Sequence, residues 1–184
     1  MDEADIRVVA VAQPSTDQIV KWDDQFRDEL LGHLGLIGKK AAGLSPWLVV
    51  WPETAMPFVY DYDFTESEWL RQMSKESGSP ILTGIAGFGG FWPEQKMHNR
   101  MILLNNGKML SYYDKRHLVP FGESLPLGWL PFLEWAFMQG LIGAAGTYDP
   151  GQQSAPIEIP LSPGDPQSRK VRLGVLICFE SIFP

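Results

Sequence analysis

The chain has 184 residues, of which 45% are hydrophobic and 20% charged, and its formal net charge is −7 at pH 7. This length suits one domain, the hydrophobic content excludes a chain that is disordered throughout, and the acidic balance argues against a nucleic-acid partner. The single cysteine, Cys178, excludes an intrachain disulfide, so it is either a buried apolar residue or a reactive thiol.

Neither a membrane-spanning segment nor a signal peptide is evident. No run reaches the ~18–20 apolar residues that a transmembrane helix needs, and the first five residues lack a positive flank followed by an apolar stretch. We therefore expect this chain to be soluble by itself.

The first half of the chain predicts strands and helices in alternation. Residues 6–12 are β-branched and nearly all apolar, which is typical of a strand covered on both faces. Residues 17–42 carry apolar side chains every three or four positions, which predicts an amphipathic helix ending near Gly38 or Gly43. A second buried strand follows at 47–51 and ends at the proline that precedes Glu53.

The middle of the chain adds a helix, a strand and a hairpin. Residues 65–77 predict the helix, and residues 80–86 predict a strand that follows it. Two further apolar runs, 99–104 and 109–113, flank an Asn-Gly turn, which is the strongest local signal for a β-hairpin. This order of elements favours an α/β layered domain.

The last third is irregular before it returns to a strand. Residues 120–150 mix prolines with many aromatic and aliphatic side chains and hold few charges, so they form a long apolar insertion. A loop rich in Pro, Gly and Ser follows, and residues 171–177 then predict a buried strand that ends at Cys178.

Three chemically useful groups each follow a predicted strand: Glu53, Lys115 and Cys178. A thiol is a suitable nucleophile for acyl transfer, but it needs a base to remove its proton, and Glu53 is able to act as that base. Lys115 and a main-chain N–H after the cysteine would stabilise the oxyanion that forms when the thiolate attacks a carbonyl. Taken singly, each residue also fits an ordinary structural role, the cysteine in the core and the charged groups in solvent.

Three sequence motifs carry a family resemblance. The segments WPETA at 51–55, YDKRHLVPFGE at 113–123 and ICFE at 177–180 resemble the signatures of the nitrilase, or carbon–nitrogen hydrolase, superfamily. Within that superfamily, the long second motif and the Cys-Phe-Glu run are most similar to the apolipoprotein N-acyltransferases of bacteria. The resemblance extends from about residue 6 to the end of the chain.

The resemblance implies a single nitrilase-like domain over 1–184, folded as a four-layer α-β-β-α sandwich. It also implies that the domain is incomplete, with its final strands and the flanking membrane helices missing. Glu53 is then the general base, Lys115 the oxyanion stabiliser, Cys178 the nucleophile that becomes a thioester, and Glu123 a second essential carboxylate.

Three more residues match family positions near the substrate. Trp22 resembles a tryptophan close to the acyl site, although it equally suits a core contact of its helix. Glu180 matches a glutamate that helps to position substrate, and Phe179 stands where some members have tyrosine, so it contributes packing without a hydroxyl. No metal and no cofactor is expected.

The apolar insertion at about 124–145 has two readings. One is a lid that lies on the bilayer surface and admits an acyl chain, as interfacial segments do. The other is a loop buried against the sheet.

By resemblance, Cys178 takes an acyl chain from a phospholipid and passes it to the N-terminal amine of a diacylglyceryl-cysteine apolipoprotein. The implied place is the outer, periplasmic face of the bacterial cytoplasmic membrane, with phospholipid, apolipoprotein and the membrane surface as partners and no nucleic acid. Two alternatives stay open, a soluble nitrilase-like amidase acting on a small amide and an inactive interaction module.

Overall fold

The computed structural model describes residues 6–16, 21, 23–91, 93–120, 122–123, 148–152, 155–162, 165 and 167–183. Two sequence-based predictions lie outside these residues. They are the role of Trp22 and the lid at 124–145. All the other predicted site residues lie within the described ranges.

A mixed sheet forms the centre of the described structure. Its order is β1-β2-β4-β5-β6, with a short β3 pairing with β4 off this path. Strands β1, β2 and β4 run parallel, and β5 and β6 are antiparallel to their neighbours. The bounds are β1 Val9–Val11, β2 Leu48–Val50, β3 Val59–Tyr60, β4 Ile81–Gly89, β5 Lys96–Asn105 and β6 Lys108–Asp114.

The prediction that the first strand is covered on both faces is wrong. β1 is the edge strand of the sheet, and while Ala10 is buried, Val9 and Val11 on either side of it are exposed. Among the described residues, only one face of β1 is packed. An apolar run cannot reveal whether its neighbours cover one face or both.

Two helices pack on one face of the sheet, α1 Arg27–Ala42 and α2 Phe64–Ser77. α1 ends at Ala42 with Gly43 next to it, as predicted. The short 3-10 helix Asp24–Phe26 directly precedes α1, and Gln25 N donates a hydrogen bond to the side chain of Asp23 at 2.9 Å. Such local side-chain bonds compete with the helical pattern. The predicted start of this helix includes residues 17–20 and 22, which lie outside the described part of the chain.

The predicted hairpin is confirmed. β5 and β6 are joined by Asn106 and Gly107, whose φ angles of 49° and 73° are both positive. A two-residue turn with two positive φ values matches the twist of the paired strands, and Asn-Gly is the sequence that adopts it most easily.

A second, two-stranded sheet packs on the other face of the main sheet. β7 Ile157–Pro160 pairs antiparallel with β8 Lys170–Leu173. The buried Ile157 and Ile159 of β7 pack against the main sheet, and the indole of Trp47 donates a hydrogen bond to Pro160 O at 3.2 Å. The described residues therefore form a helix layer and two sheet layers, in the order expected for an α-β-β-α sandwich.

The prediction of a buried strand from 171 to 177 is only partly right. β8 ends at Leu173, and its exposed and half-buried residues alternate. The strand does not reach Cys178: Leu173 pairs with Ile157, the first residue of β7, so the ladder ends there. Farther along, Ile177 N donates to the carboxylate of Glu180 at 2.9 Å. In the described part of the chain, no helix is long and apolar enough to cross a bilayer.

Candidate active site

Glu53 lies just beyond the end of β2, in a segment held tightly against β4. Gly84 N donates to Pro52 O at 3.2 Å, and Met56 N donates to Gly84 O at 3.2 Å. A Cβ on Gly84 would lie 2.7 Å from Glu53 Cα, so only glycine permits this approach. Thr54 has a φ of 42°, which turns the chain sharply after the glutamate.

Lys115 follows β6 and projects its ammonium group between two carboxylates. Its Nζ lies 3.0 Å from Glu53 Oε1 and 2.9 Å from Glu123 Oε2. The lysine is 1% exposed, whereas the side chains of Glu53 and Glu123 are 30% and 14% exposed. The structure thus brings together three of the four residues predicted to do the chemistry.

Glu123 is fixed by two further donors. Val119 N donates to Glu123 Oε2 at 2.9 Å, and the side-chain amide of Asn99 donates to Glu123 Oε1 at 2.8 Å. The same amide nitrogen donates to Glu53 Oε1 at 2.7 Å. Sequence reasoning did not select Asn99, because it reads there as the first residue of an apolar strand.

The charges around Lys115 favour its protonated form. Burial alone would lower the pKa of the ammonium, but the hydrogen bonds and negative charges of Glu123 and Glu53 outweigh it and raise the pKa above its usual value. Lys115 is therefore a permanent cation at neutral pH and is unsuited to act as a base.

Two other titratable residues near this group were also missed. Burial lowers the pKa of Lys21, and the negative charge of Glu53 partly offsets that effect. Burial and the charges of Glu123 and Glu53 raise the pKa of Tyr148. Neither residue stands at the end of a predicted strand, so position along the sequence gave no signal for them.

Cys178 is exposed and has an unusual backbone. It begins the short 3-10 helix Cys178–Ile182, and its φ of 49° lies in the left-handed region that residues other than glycine rarely adopt. Backbone strain of this kind often accompanies functional residues. In the described part of the chain, no hydrogen bond joins the thiol to Glu53 or Lys115, so Cys178 is linked to the cluster only indirectly.

Glu180 supplies that indirect link. Its carboxylate is 1% exposed, and Oε1 accepts hydrogen bonds from Tyr113 OH at 2.8 Å, Arg116 N at 2.7 Å and His117 N at 3.2 Å. Oε2 accepts the bond from Ile177 N. One buried carboxylate therefore ties the residues on both sides of Lys115 to the residue before Cys178.

The hydrogen bonds to Glu180 decide its charge state. Burial would raise the pKa of this carboxyl, but the donors from Ile177, Arg116, Tyr113 and His117 hold it below its usual range. Burial and the hydrogen bond to Glu180 raise the pKa of the Tyr113 phenol, so it keeps its proton and donates.

Phe179 is half-buried and packs edge-to-face on Phe183, with ring centroids 5.3 Å apart. His117 stacks on the same Phe183 ring at 4.3 Å. The assignment of Phe179 to substrate binding stays a prediction.

In the ranges that the structure describes, no group of three or more His, Cys, Asp or Glu side chains is arranged to hold a metal ion.

Comparison with known proteins identifies the family. The carbon-nitrogen hydrolase family model matches residues 8–184. Curated relatives named apolipoprotein N-acyltransferase include proteins from Geobacter metallireducens, 32% identical over 96% of this chain, and Rickettsia typhi, 34% identical over 96%. The chain spans about a third of the length of these relatives, 32% and 33% respectively.

Solved structures confirm the nitrilase-like α/β fold. A CN-hydrolase superfamily protein from Xanthomonas campestris, with an arsenic adduct in its active site, has a TM-score of 0.61 at 21% identity, covering 97% of this chain and 55% of that one. A mutant amidase from Nesterenkonia sp. AN1, with acrylamide added to its active-site cysteine, has a TM-score of 0.57 at 16% identity, covering 95% of this chain and 58% of that one.

Proposed function

The chain belongs to the carbon–nitrogen hydrolase family, and from this membership we propose that it is the catalytic domain of an apolipoprotein N-acyltransferase. The curated relatives with that name support the choice of reaction within the family. The proposed setting is the outer face of the bacterial cytoplasmic membrane, where phospholipid and lipoprotein meet. Residues 1–184 then form part of a single nitrilase-like catalytic domain, with the insertion at about 124–145 as an apolar lid.

One observation carries the proposed chemistry: Glu53 presents a carboxylate oxygen with no competing donor. Its Oε1 accepts hydrogen bonds from Lys115 and Asn99, whereas Oε2 accepts none from the described residues, and the side chain is 30% exposed. A general base needs a free oxygen that faces the substrate, together with neighbours that fix its direction. Glu53 has such a free oxygen among the described residues, and Lys115 and Asn99 hold its other oxygen, which supports its assignment as the base.

In the first half-reaction, Glu53 removes the proton from the Cys178 thiol. The thiolate attacks an ester carbonyl of a phospholipid, and the Lys115 ammonium stabilises the oxyanion. The carbon–oxygen ester bond then breaks, and Glu53 returns its proton to the departing oxygen. The products are a thioester on Cys178 and a lysophospholipid.

In the second half-reaction, the N-terminal amine of the diacylglyceryl-cysteine lipoprotein attacks the thioester. A carbon–nitrogen amide bond forms and the carbon–sulfur bond breaks. Glu53 accepts a proton from the amine and returns one to the sulfur, which restores the starting enzyme. Glu123 keeps Lys115 in place throughout, while Trp22, Phe179 and Glu180 shape the acyl site.

The test offers the same protein two kinds of acyl donor, a phospholipid and a short amide. The chain and its Cys178→Ala variant are incubated with detergent-dispersed phospholipid plus a diacylglyceryl-cysteine peptide, and separately with a short aliphatic amide. We expect lysophospholipid and N-acylated peptide from the wild type alone. Ammonia from the amide without lysophospholipid would assign an amidase instead. No product from either donor, with the protein folded, would indicate an interaction module.

A further inference from the structure

Asn99 holds a central place among the charged groups of the site. It lies in the long strand β5, opposite Ala86 of β4, and it is 2% exposed. Its main-chain oxygen accepts a hydrogen bond from Lys115 N at 2.9 Å. Its side-chain nitrogen donates to Glu53 Oε1 at 2.7 Å and to Glu123 Oε1 at 2.8 Å. Asn99 therefore contacts all three members of the cluster.

The orientation of this amide follows from chemistry. The NH₂ group has two protons, and each is directed to a different carboxylate. The opposite orientation would place the carbonyl oxygen against two negatively charged oxygens at the same distances. In the observed orientation, Oδ1 is buried and has no hydrogen-bond partner among the described residues. An unpartnered buried oxygen is unfavourable. Asn99 therefore contributes to the site through the N–H groups of its amide and not through its oxygen.

A second donor offsets the repulsion between the two carboxylates. Glu53 and Glu123 both face the Lys115 ammonium, and two further titratable groups interact with this cluster, the buried Lys21 with Glu53 and Tyr148 with all three residues. Lys115 Nζ and Asn99 Nδ2 both bridge the same two oxygens, Glu53 Oε1 and Glu123 Oε1. The neutral amide reduces the repulsion between the carboxylates without adding a charge that would compete with Lys115.

We propose that Asn99 is a positioning residue that holds the carboxylate of Glu53 in place by bridging Glu53 and Glu123. The effect on catalysis rests on the function proposed above. The bridge itself is a property of the folded chain and is measurable without activity. Asn99 does not contact the reacting atoms and acts through Glu53.

The test compares near-isosteric substitutions on the same hairpin. Asn99→Asp keeps the shape of the side chain but replaces both donors with a third carboxylate. Asn106→Asp, at the exposed turn, makes the same chemical change away from the site. The measured quantity is the rate at which p-nitrophenyl butyrate acylates Cys178, followed across pH as p-nitrophenol release, with Cys178→Ala as the blank.

We expect Asn99→Asp to acylate about ten- to a hundredfold more slowly at neutral pH, as the loss of charge-assisted hydrogen bonds predicts. The acid limb of its pH profile should move to higher pH, because a proton is retained among three carboxylates. Asn106→Asp should follow the wild type. A purely structural role would lower the rate without moving the pH profile, and an unchanged profile would overturn the proposal.

A second readout separates this inference from the proposed function. If the wild type releases no more p-nitrophenol than Cys178→Ala, the acyl-transfer function fails, and the bridge is then judged by stability. Urea unfolding of Asn99→Asp should show a loss of stability at neutral pH that shrinks at mildly acidic pH, where a carboxylate gains a proton. A pH dependence identical to that of Asn106→Asp would contradict the bridge.

Discussion

Lys115 supplies a charge to the site rather than a base. It is buried, its Nζ donates hydrogen bonds to Glu53 Oε1 and Glu123 Oε1, and the two glutamates raise its pKa. Because the folded-state pKa is raised, its contribution to stability is complete below the pKa of an unfolded lysine. That contribution is lost as the pH rises through the folded-state value.

Replacing this cation should affect stability and acylation together. Lys115→Met keeps most of the side-chain volume but leaves Glu53 and Glu123 facing each other, so we expect a loss of about 3–5 kcal/mol in the free energy of unfolding. Lys108→Met, at an exposed position at the start of β6, the strand that precedes Lys115, is the matched control and should change the free energy of unfolding by less than about 0.5 kcal/mol. If Lys115→Met and Lys108→Met had equal effects on urea unfolding, the cluster would contribute nothing to stability.

On the scale of elements, the loop after β6 and the turn at Cys178 are held together by Glu180. The pKa of this carboxyl is depressed, so its contribution to stability is present above the pKa of an unfolded glutamate. That contribution is lost as the pH falls through the folded-state value. The link between Lys115 and Cys178 should therefore weaken in acid.

Glu180→Gln tests this link. The amide cannot accept all four hydrogen bonds as a carboxylate does, and we expect a loss of about 1.5–3 kcal/mol at neutral pH. The loss should shrink toward acid, where the wild-type carboxylate is itself protonated. Glu158→Gln, an exposed surface position, should have little effect at any pH. A loss that does not depend on pH would contradict the assignment of a charged clamp.

The approach of β4 to the segment that carries Glu53 gives another prediction at this scale. Gly84→Ala would place a methyl group against the main chain of Pro52, Glu53 and Thr54, so we expect a destabilisation of about 1–3 kcal/mol and slower acylation of Cys178. Gly32→Ala is the control, and we expect it to change the stability in the opposite direction. Its Cβ meets no atom within 4 Å, and alanine within α1 should stabilise by about 0.5–1 kcal/mol. Thermal unfolding of both variants measures the contrast.

The sequence predicts an element well when residues within or next to that element determine it, and poorly when distant residues do. The β5–β6 hairpin follows from its own Asn-Gly turn, and the end of α1 follows from Gly43, so both are predictable. The end of β8 depends on where its partner β7 begins, and the proposed role of Asn99 arises only when β4, β5 and two loops meet. The pairing of Lys115 with Glu53 and Glu123 was predictable through the motifs, whereas the absence of a direct hydrogen bond to Cys178 was not.

On the scale of the whole molecule, the position of Cys178 depends on how the second sheet packs. β7 contributes Ile157 and Ile159 to the interface with the main sheet, and β8 leads into the segment that carries the cysteine. Ile177, the residue before Cys178, is buried in the same interface. Packing between the sheets therefore positions Cys178, the proposed nucleophile.

Truncation in this interface should loosen the site. We expect Ile157→Ala to destabilise the chain by about 2–5 kcal/mol, because its side chain is fully buried. Leu176→Ala, at an exposed position, should cost less than about 0.5 kcal/mol. Urea unfolding measures both. If Ile157→Ala were as mild as Leu176→Ala, the two sheets would not form one cooperative core.

The proposed function requires Cys178 to carry an acyl group taken from phospholipid. Peptide mapping by mass spectrometry tests this after incubation with phosphatidylethanolamine that bears isotope-labelled acyl chains. We expect one labelled acyl group on the peptide that contains Cys178, removable by hydroxylamine as a thioester is, and absent from the Cys178→Ala variant. An unlabelled Cys178 peptide, or the same labelling in Cys178→Ala, would contradict the proposed function.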